Sequence, residues 1–360
     1  MLKDEWLSIG YEKGLIDDIS ESEWVSFETA YKAWFKTKIN RIRPQSVDRI
    51  EVTYNKYYSG TDFVKLPVHS LNEHSIYTFL NKILVERGNI TKKEYGRIYQ
   101  IVNNVMQYAY DLHLGHCYCV NWSTVKRYIA LDNIQIVESK EFSVSSAHRE
   151  CFARAVLIDK IYPEKRSAAL VLLLNFYLGL RIGELASLRW QDVNFKERYI
   201  YVHSTEVKSF GRDEDGERLG SILYKSQDRT KTVNSVRRVP LVNESIFILS
   251  ELKDWHNLHN YDSEFLAYDG TDTILTRSLE RTLRRICQLC EIPLFNSHRI
   301  RKTFATELHQ NGVPTRVISD LMGHSDMRTT ENNYIITSLD SFDVVRTAMQ
   351  QKPMICLSLS

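Results

Sequence analysis

The stretch SAALVLLLNFYLGLRIGELASLRW, Ser167 to Trp190, joins the longest apolar run of the chain to a polar segment. The apolar part is shorter than the roughly 20 residues that a membrane-spanning helix needs, which predicts a helix buried in a protein core. Gly179 interrupts this helix and Arg181 follows two residues later, at a partly dry position where paired N–H donors bind phosphate well. Taken alone, the stretch favours a structural ion pair between Arg181 and Glu184, which are three residues apart.

The composition of the chain is that of a globular protein. A length of 360 residues suits two domains, each with its own core. Hydrophobic residues make up 43% of the chain and charged residues 26%, which is typical of folded domains. The N-terminal residues lack the apolar region of a signal peptide, so we expect a cytoplasmic protein whose six cysteines are reduced thiols.

Basic residues are clustered, although the net charge of the whole chain is only +2. Five basic residues and no acid lie between Thr29 and Val47, and seven basic and two acidic residues lie between Arg277 and Lys302. Such patches attract phosphate, although solvated helix faces explain the same pattern equally well. The candidate DNA contacts in these patches and at the start of a predicted long helix are Lys36, Lys38, Arg41, Arg43, Lys92, Lys93, Arg97, Arg281, Arg284 and Arg285.

The first part of the chain shows helical periodicity almost throughout. Pro44 marks the start of one helix, Gly88 the end of another, and Thr91 the cap of a long helix whose apolar positions recur every three or four residues. Four helices within about 100 residues indicate a small bundle. The polar stretch 131–148 lacks this periodicity and is the predicted linker between two domains.

Beyond the linker, helices flank a strand-rich stretch. YIYVHSTEV (199–207), GSILYKS (220–226) and VRRVPLV (236–242) alternate in polarity as strands do, and turn-like loops separate them at 210–220 and 227–235. The predicted fold class is therefore mainly α with a small antiparallel β-sheet, formed by an N-terminal helical bundle and a mixed α+β domain. The predicted boundaries are an N-terminal extension at 1–25, the bundle at 26–130, the linker at 131–148, the second domain at 149–347 and a tail at 348–360.

A first polar motif of the second domain is NSHRIRKTFATEL, residues 296–308. Ser297 is the predicted N-cap of a helix, which makes His298 and Arg301 neighbours near the helix N-terminus. Backbone amides and the helix dipole favour an anion at that end. A single His-x-x-Arg motif is weak evidence of a site, since most such pairs are ordinary surface side chains.

A second polar motif is GHSDMRTTENNY, residues 323–334. Gly323 is predicted to end a short helix and leave His324 just beyond it, free to point into a cleft. Tyr334 follows ten residues later. By itself, such a tyrosine is far more commonly a packed aromatic residue than a nucleophile.

Several of these short motifs occur together in one order. RIGEL, then TKT before a strand that ends in RRVPL, then HRIRKTFA, and finally MGHS followed by TTENNY resemble the motifs of the tyrosine recombinase (phage integrase) family, in particular the integrases of bacterial mobile elements. The resemblance covers Arg149 to Thr347. It implies that this segment is a catalytic domain and that the preceding bundle is a core-binding, DNA-binding domain.

The resemblance also implies a role for individual residues. Arg181 and Arg301 correspond to the arginines that clamp the scissile phosphate, His298 and His324 to the active-site histidines, Lys231 to the general acid, Tyr334 to the nucleophile, and Glu184 to an acid that supports the first arginine. Lys225 is the alternative general acid, because the strand register before Lys231 is open.

The chemistry of phosphoryl transfer suits these residue types. Negative charge gathers on the phosphate oxygens in the transition state, where guanidinium and imidazole donors stabilise it. The ordinary pKa of a tyrosine hydroxyl is about 10, so either neighbouring cations favour the phenolate or a base such as His298 accepts the proton. A phosphotyrosyl bond preserves the energy of the original linkage, so no ATP, metal or other cofactor is expected.

The resemblance implies partners as well. Double-stranded DNA attachment sites are the expected substrate, and a homotetramer is expected to bridge two duplexes. An accessory directionality or DNA-bending factor is compatible with this, as is association with a bacterial nucleoid. The leading interpretation is integration or excision of a mobile element. Its alternatives are a chromosome-dimer resolvase, a type IB topoisomerase-like enzyme, and a DNA-binding protein that has the fold without catalysis, against which the full motif set argues.

Two further features have competing explanations. HLGHCYC, residues 113–119, contains histidine and cysteine, but its spacing is cramped for a tetrahedral zinc site and favours packing at a helix end. Beyond the tyrosine, Phe342, Val345 and Met349 share one helical face. We expect this face to dock on a neighbouring subunit.

Overall fold

The computed structural model describes residues 24–135, 143–159, 165–213, 218–228, 236–323, 345–346 and 349–350, with only the backbone described at 221–228. The chain divides into two compact units. The first comprises the chain up to Ser139 together with Ser209–Leu223, and the second comprises Lys140–Lys208 and the chain from Tyr224 onward. Among the described residues, no helix has the length and apolar character that crossing a membrane requires.

The first unit is a helical bundle. Its described helices are α1 (Phe27–Ile39), α2 (Pro44–Tyr57), α3 (Glu73–Arg87), α4 (Lys92–Asp111) and α5 (Trp122–Arg127), and a parallel pair of short strands joins β1 (Ile90–Thr91) to β2 (Ile134–Gln135). Six-residue α5 was not predicted, because it is too short to show helical periodicity. The strand β2 and the first turn of the next helix both fall within the stretch predicted as a linker.

Local signals define the helix ends of this bundle as predicted. Thr91 is the N-cap of α4, and its hydroxyl accepts a hydrogen bond from the amide of Glu94 at 3.2 Å. Gly88 ends α3 in the left-handed conformation, with φ of 64°. The core is rich in aromatic rings, among which Phe63 and Phe79 stack with centroids 4.0 Å apart.

The second unit is mixed α and β. Its described helices are α6 (Ser146–Leu157), α7 (Arg166–Leu178), α8 (Ile182–Ala186), α9 (Asn243–Leu258), α10 (Thr276–Leu289), α11 (Ser297–Gln310) and α12 (Thr315–Met322). The strands β3 (Val193–Asn194), β4 (Tyr199–Val202) and β7 (Arg237–Pro240) form an antiparallel sheet in the order β3-β4-β7. The predicted fold class, mainly α with a small antiparallel sheet, is confirmed.

Helix α7 lies at the centre of the second unit. All of its residues are buried, and it packs against α6, α9, α10 and α11. This follows from its sequence, because a helix that is apolar on every side must be surrounded by other elements. The prediction that the run from Ser167 onward is a buried core helix is therefore confirmed.

Two long strands form a separate pair, β5 (Ser204–Arg212) with β6 (Arg218–Asp228). The sequence predicted a loop at 210–220, but much of that segment belongs to these strands. The part from Ser209 to Leu223 belongs to the first unit. There Arg212 pairs with Asp48 of α2 at 2.8 Å, and Arg218 pairs with Glu51 of α2 at 2.6 Å. Both arginines of this segment are paired with carboxylates of α2. These ion pairs explain why the strands extend into a sequence that is polar.

We predict that Arg212→Ala destabilises the first unit strongly. The side chains of Arg212 and Asp48 are only 11% and 13% exposed, and removing one partner of a buried ion pair typically costs about 3–5 kcal/mol. The matched control is Lys65→Ala, whose partner Asp62 is 96% exposed and whose loss should cost about 0–1 kcal/mol. Urea unfolding of both variants measures the difference. Equal losses of unfolding free energy would contradict the prediction.

Candidate active site

A left-handed glycine sets the start of the site. Gly179 ends α7 with φ of 60°, and its amide donates to the carbonyl of Asn175. A Cβ at this position would lie 2.3 Å from the ring of Phe304 in α11. The glycine therefore permits close packing of α7 against α11 and turns the chain toward Arg181. The predicted interruption of the helix at this glycine is correct.

Arg181 reaches two parts of the second unit. It precedes α8, and its Nη1 donates to Oε1 of Glu184 at 3.0 Å, as the sequence spacing predicted. Its Nη1 and Nη2 also donate to the carbonyls of Met322 and Gly323 at 3.3 and 3.1 Å. The side chain remains 38% exposed, so its guanidinium lies at the surface beside the end of α12.

Glu184 is the common partner of three described arginines. Its side chain has no solvent exposure. Besides Arg181, it accepts from Nη2 of Arg237 at 2.8 Å, and Nη1 of Arg301 lies 3.9 Å from its Oε2. Burial of an ionised carboxylate costs free energy unless the carboxylate is paired. These cations therefore allow Glu184 to be ionised in the core.

Arg301 of α11 is buried, with a side chain that is 3% exposed. Its Nη1 donates to the carbonyl of Gly179 at 2.9 Å, and its Nη2 donates to the carbonyl of Met322. Arg301 and Arg181 therefore share the Met322 carbonyl as an acceptor. The two arginines are 120 positions apart in the sequence, and the fold brings them together at the end of α12.

His298 lies at the exposed N-terminal turn of α11. Partial desolvation lowers its pKa below the ordinary value, and the positive charges of Lys302 and Arg301 lower it further. Its imidazole is therefore neutral at pH 7 and able to accept a proton. The predicted N-cap of this helix was wrong by one residue: Asn296 caps α11, because its side chain accepts from the amide of Arg299.

The remaining predicted site residues lie outside the described part of the chain. This holds for Lys231, His324 and Tyr334, and for the side chain of the alternative acid Lys225. The nearest described residue to His324 is Gly323, which ends α12 in the left-handed conformation as predicted. The carbonyl end of α12 that Arg181 and Arg301 contact thus leads directly to His324 in the chain.

One buried arginine of this cluster was missed by the sequence analysis. Arg237 is the first residue of β7, and its Nε donates to the carbonyl of Leu321 in addition to its bonds with Glu184. A signal for it exists in RRVPL. Alternation along a strand places Arg237 on the same face as Val239, which is buried, and places Arg238 on the opposite, exposed face.

The predicted DNA contacts form separate groups in the two units. In the first unit, an open cleft of about 440 Å³ between α1, α2 and α4 is lined by Lys93 and Arg97, together with Arg49, Gln100 and Asn104. No acidic side chain lines it among the described residues. In the second unit, the exposed side of α10 carries basic residues. The other candidates are exposed or half-buried: Lys36, Lys38, Arg41 and Arg43 around the end of α1, Lys92 on α4, and Arg281, Arg284 and Arg285 on α10.

Other predicted features have these positions. In HLGHCYC, Cys117 is buried and Cys119 is exposed, and no described cluster of three or more histidine, cysteine or acidic residues is placed to hold a metal. Val345 and Met349 are buried in the core of the second unit of the same chain, so the expectation that they dock on a neighbouring subunit is not met in this structure. Phe342 lies outside the described residues.

Comparisons with known proteins agree with this arrangement. The model of the phage integrase family matches residues 155–338, half of the chain. The tyrosine recombinase XerC-like protein of Caldanaerobacter subterraneus subsp. tengcongensis is 25% identical over 346 residues, which cover 92% of this chain and 83% of the relative. The prophage ps2 probable integrase of Lactococcus lactis subsp. lactis is 24% identical over 324 residues, which cover 86% of this chain and 75% of the relative.

Solved structures share the fold. The Tn1549 transposon integrase in complex with transposon right end DNA has a TM-score of 0.63 at 17% identity, over 89% of this chain and 99% of that chain. A lambda integrase dimer bound to a COC′ core site has a TM-score of 0.58 at 12% identity, over 86% of this chain and 95% of that chain. The fold of these proteins is thus also the fold of this chain.

We predict that Gly179→Ala is more destabilising than Gly312→Ala. Both glycines have positive φ, which costs an alanine about 1–2 kcal/mol. Only at position 179 does the new methyl group also collide with the core, at Phe304, and overpacking typically adds about 1–3 kcal/mol. Thermal unfolding of the two variants should show the larger loss at position 179. A comparable loss in both would indicate that the core yields to the methyl group.

Proposed function

This chain belongs to the phage integrase family of tyrosine recombinases, and we propose that it cuts and rejoins DNA through a 3′-phosphotyrosyl intermediate on Tyr334. Site-specific recombination is the activity of the family. The single observation that carries the residue assignment is the meeting of Arg181 and Arg301 at the Met322 carbonyl, at the end of α12 and two residues before His324. Two guanidiniums at one point are an effective binding site for a phosphodiester.

In the proposed reaction, the hydroxyl oxygen of Tyr334 attacks the scissile phosphorus, and the bond from phosphorus to the 5′ oxygen breaks. His298 accepts the tyrosine proton, and Lys231 donates a proton to the leaving 5′ oxygen. Arg181 and Arg301 stabilise the negative charge on the non-bridging oxygens. A 5′ hydroxyl of the partner strand then reverses the step, with tyrosine as the leaving group.

The arginines must exchange acceptors for this to happen. Arg301 is buried, and its Nη2 donates to the Met322 carbonyl. We expect a phosphate oxygen to replace that carbonyl as the acceptor when DNA binds. Arg181, which is more exposed, is the natural first contact for the phosphate. His324, which follows Gly323 in the sequence, is proposed to donate to the same phosphate.

We propose that the substrate is the attachment site of a mobile element, recombined by a homotetramer on two duplexes. Similarity over most of the chain to a prophage integrase supports this role. The basic cleft of Arg49, Lys93 and Arg97 is proposed to bind the backbone of the duplex, and α10 to contribute through Arg284 and Arg285. A second candidate function is that of a chromosome-dimer resolvase. It is supported by the similarity to a XerC-like recombinase over 92% of the chain.

The test of the nucleophile uses a nicked duplex that carries the candidate attachment site. Cleavage of such a substrate releases a short strand and traps the covalent protein–DNA adduct, which a denaturing gel separates from free protein. We predict an adduct through the 3′ phosphate, mapped to Tyr334 by peptide analysis, and its complete loss in Tyr334→Phe. Tyr201→Phe, which alters an exposed tyrosine of β4, is the control and should react as wild type does.

Other outcomes have definite meanings. An adduct retained in Tyr334→Phe would show that another residue is the nucleophile. Specific binding of the site by the wild-type protein without any adduct would favour a DNA-binding protein that lacks catalysis. Recombination between an element site and a different target site supports the integrase role, whereas reaction only between two identical chromosomal sites supports the resolvase role.

We also predict a pH dependence that reports on His298. Because the pKa of His298 is lowered, its imidazole stays neutral at pH values where an ordinary histidine is already protonated. The cleavage rate should therefore fall only as the pH drops through the lowered pKa. Lys302→Ala removes one of the cations that lower this pKa, so the acid limb of the rate profile should move to higher pH. Single-turnover cleavage rates measured between about pH 5 and pH 8, the range in which histidine ordinarily changes its charge, report this shift.

The control for the pH profile is Lys253→Ala, which removes an exposed cation on α9 that is not among those acting on His298. Its acid limb should coincide with that of the wild-type protein. An acid limb that stays in place in Lys302→Ala would mean that His298 is not the group that accepts the proton.

A further inference from the structure

We propose that Arg237 is a positioning residue for strand cleavage: it holds Glu184 and the end of α12 so that Arg181 meets the scissile phosphate. This inference rests on the proposed function and extends it to Arg237, a residue of the motif RRVPL to which the family resemblance gave no role. Arg237 belongs to β7, whereas Arg181 precedes α8 and Arg301 lies on α11.

Arg237 donates hydrogen bonds both to Glu184 and to the last turn of α12. Its Nη2 and Nη1 donate to the two carboxylate oxygens of Glu184 at 2.8 and 3.4 Å, and its Nε donates to the carbonyl of Leu321. Only 6% of its side chain is exposed. A planar guanidinium with two bonds to a carboxylate and a third to a carbonyl is fixed in orientation, which a lysine cannot reproduce.

Fixing Glu184 also fixes Arg181. The carboxylate of Glu184 accepts both from the backbone amide of Arg181 and from its Nη1, each at 3.0 Å. If Arg237 is lost, the carboxylate becomes free to turn toward Arg301, whose Nη1 is 3.9 Å away. Arg181 would then lose the acceptor that sets the direction of its guanidinium.

Arg237 acts on the end of α12 as well. The carbonyls at this end of the chain segment accept from all three arginines. Leu321 accepts from Arg237, Met322 accepts from Arg301 and Arg181, and Gly323 accepts from Arg181. That helix end precedes His324 directly in the sequence. Arg237 is also close in sequence to Lys231, six residues before it. Its hydrogen bonds to Glu184 and Leu321 assign it to the positioning of these two groups.

The test compares a charged and an uncharged scissile linkage in the same nicked duplex. A methylphosphonate replaces one non-bridging oxygen by a methyl group and removes the charge that Arg181 stabilises. A variant that misplaces Arg181 should therefore be impaired on the phosphodiester and much less impaired on the methylphosphonate. A variant that only destabilises the fold should be impaired equally on both.

We expect Arg237→Lys and Arg237→Ala to lower the single-turnover cleavage rate on the phosphodiester by about 100-fold, as loss of one anion-stabilising donor typically does. On the methylphosphonate the cleavage rate of these variants should fall by no more than about tenfold. Arg181→Ala should show the same ratio of the rate loss on the phosphodiester to the rate loss on the methylphosphonate. The matched control is Arg238→Ala, the exposed neighbour that lies over the ring of Tyr199, with wild-type rates on both. If Arg237→Ala fails to fold, Arg237→Lys carries the comparison, because it retains the positive charge near Glu184.

The outcomes separate the two proposals. A wild-type protein that forms no adduct on Tyr334 would overturn the proposed function and the role of Arg237 with it. A wild-type protein that cleaves, together with an Arg237→Lys variant that is equally active or equally impaired on both substrates, overturns the positioning role alone. A selective loss on the phosphodiester supports it.

Discussion

The buried carboxylate of Glu184 is the constraint on which the described site depends. An ionised carboxylate without solvent exposure is unfavourable unless cations and hydrogen bonds compensate for its lost hydration. Arg181, Arg237 and Arg301 supply that compensation from elements that are distant in the sequence. The favourable packing of these elements is therefore the one in which the buried carboxylate is paired, and this packing also places the arginines side by side.

The apolar helix α7 supplies the frame for this charged cluster. Its burial on all sides fixes the position of its last turn, and Gly179 at that end provides a carbonyl for Arg301 and space for Phe304. The arginine cluster thus begins where the core ends. A guanidinium in such a place is shielded from water on one side, which strengthens its interaction with any anion that reaches it.

Features set by a few neighbouring residues could be predicted from the sequence, and features set by distant contacts could not. The caps at Thr91 and Gly323 and the pair of Arg181 with Glu184 depend on local geometry, and all were predicted. The extension of β5 and β6 depends on distant carboxylates of α2 and was missed. Arg237 was missed because the sequence does not reveal that its inward face meets a buried acid.

Two of the cations that hold the end of α12, Arg301 and Arg181, also act on His298. Partial desolvation is the first cause of the lowered pKa of this histidine, and the field of the neighbouring cations lowers the pKa further, so that the free protein keeps the imidazole neutral. In the proposed complex, a phosphodiester brings a negative charge to Arg181 and Arg301, which weakens that field and raises the pKa of His298. The histidine therefore becomes a stronger base when the phosphate is bound, which is when the proton of Tyr334 has to be accepted.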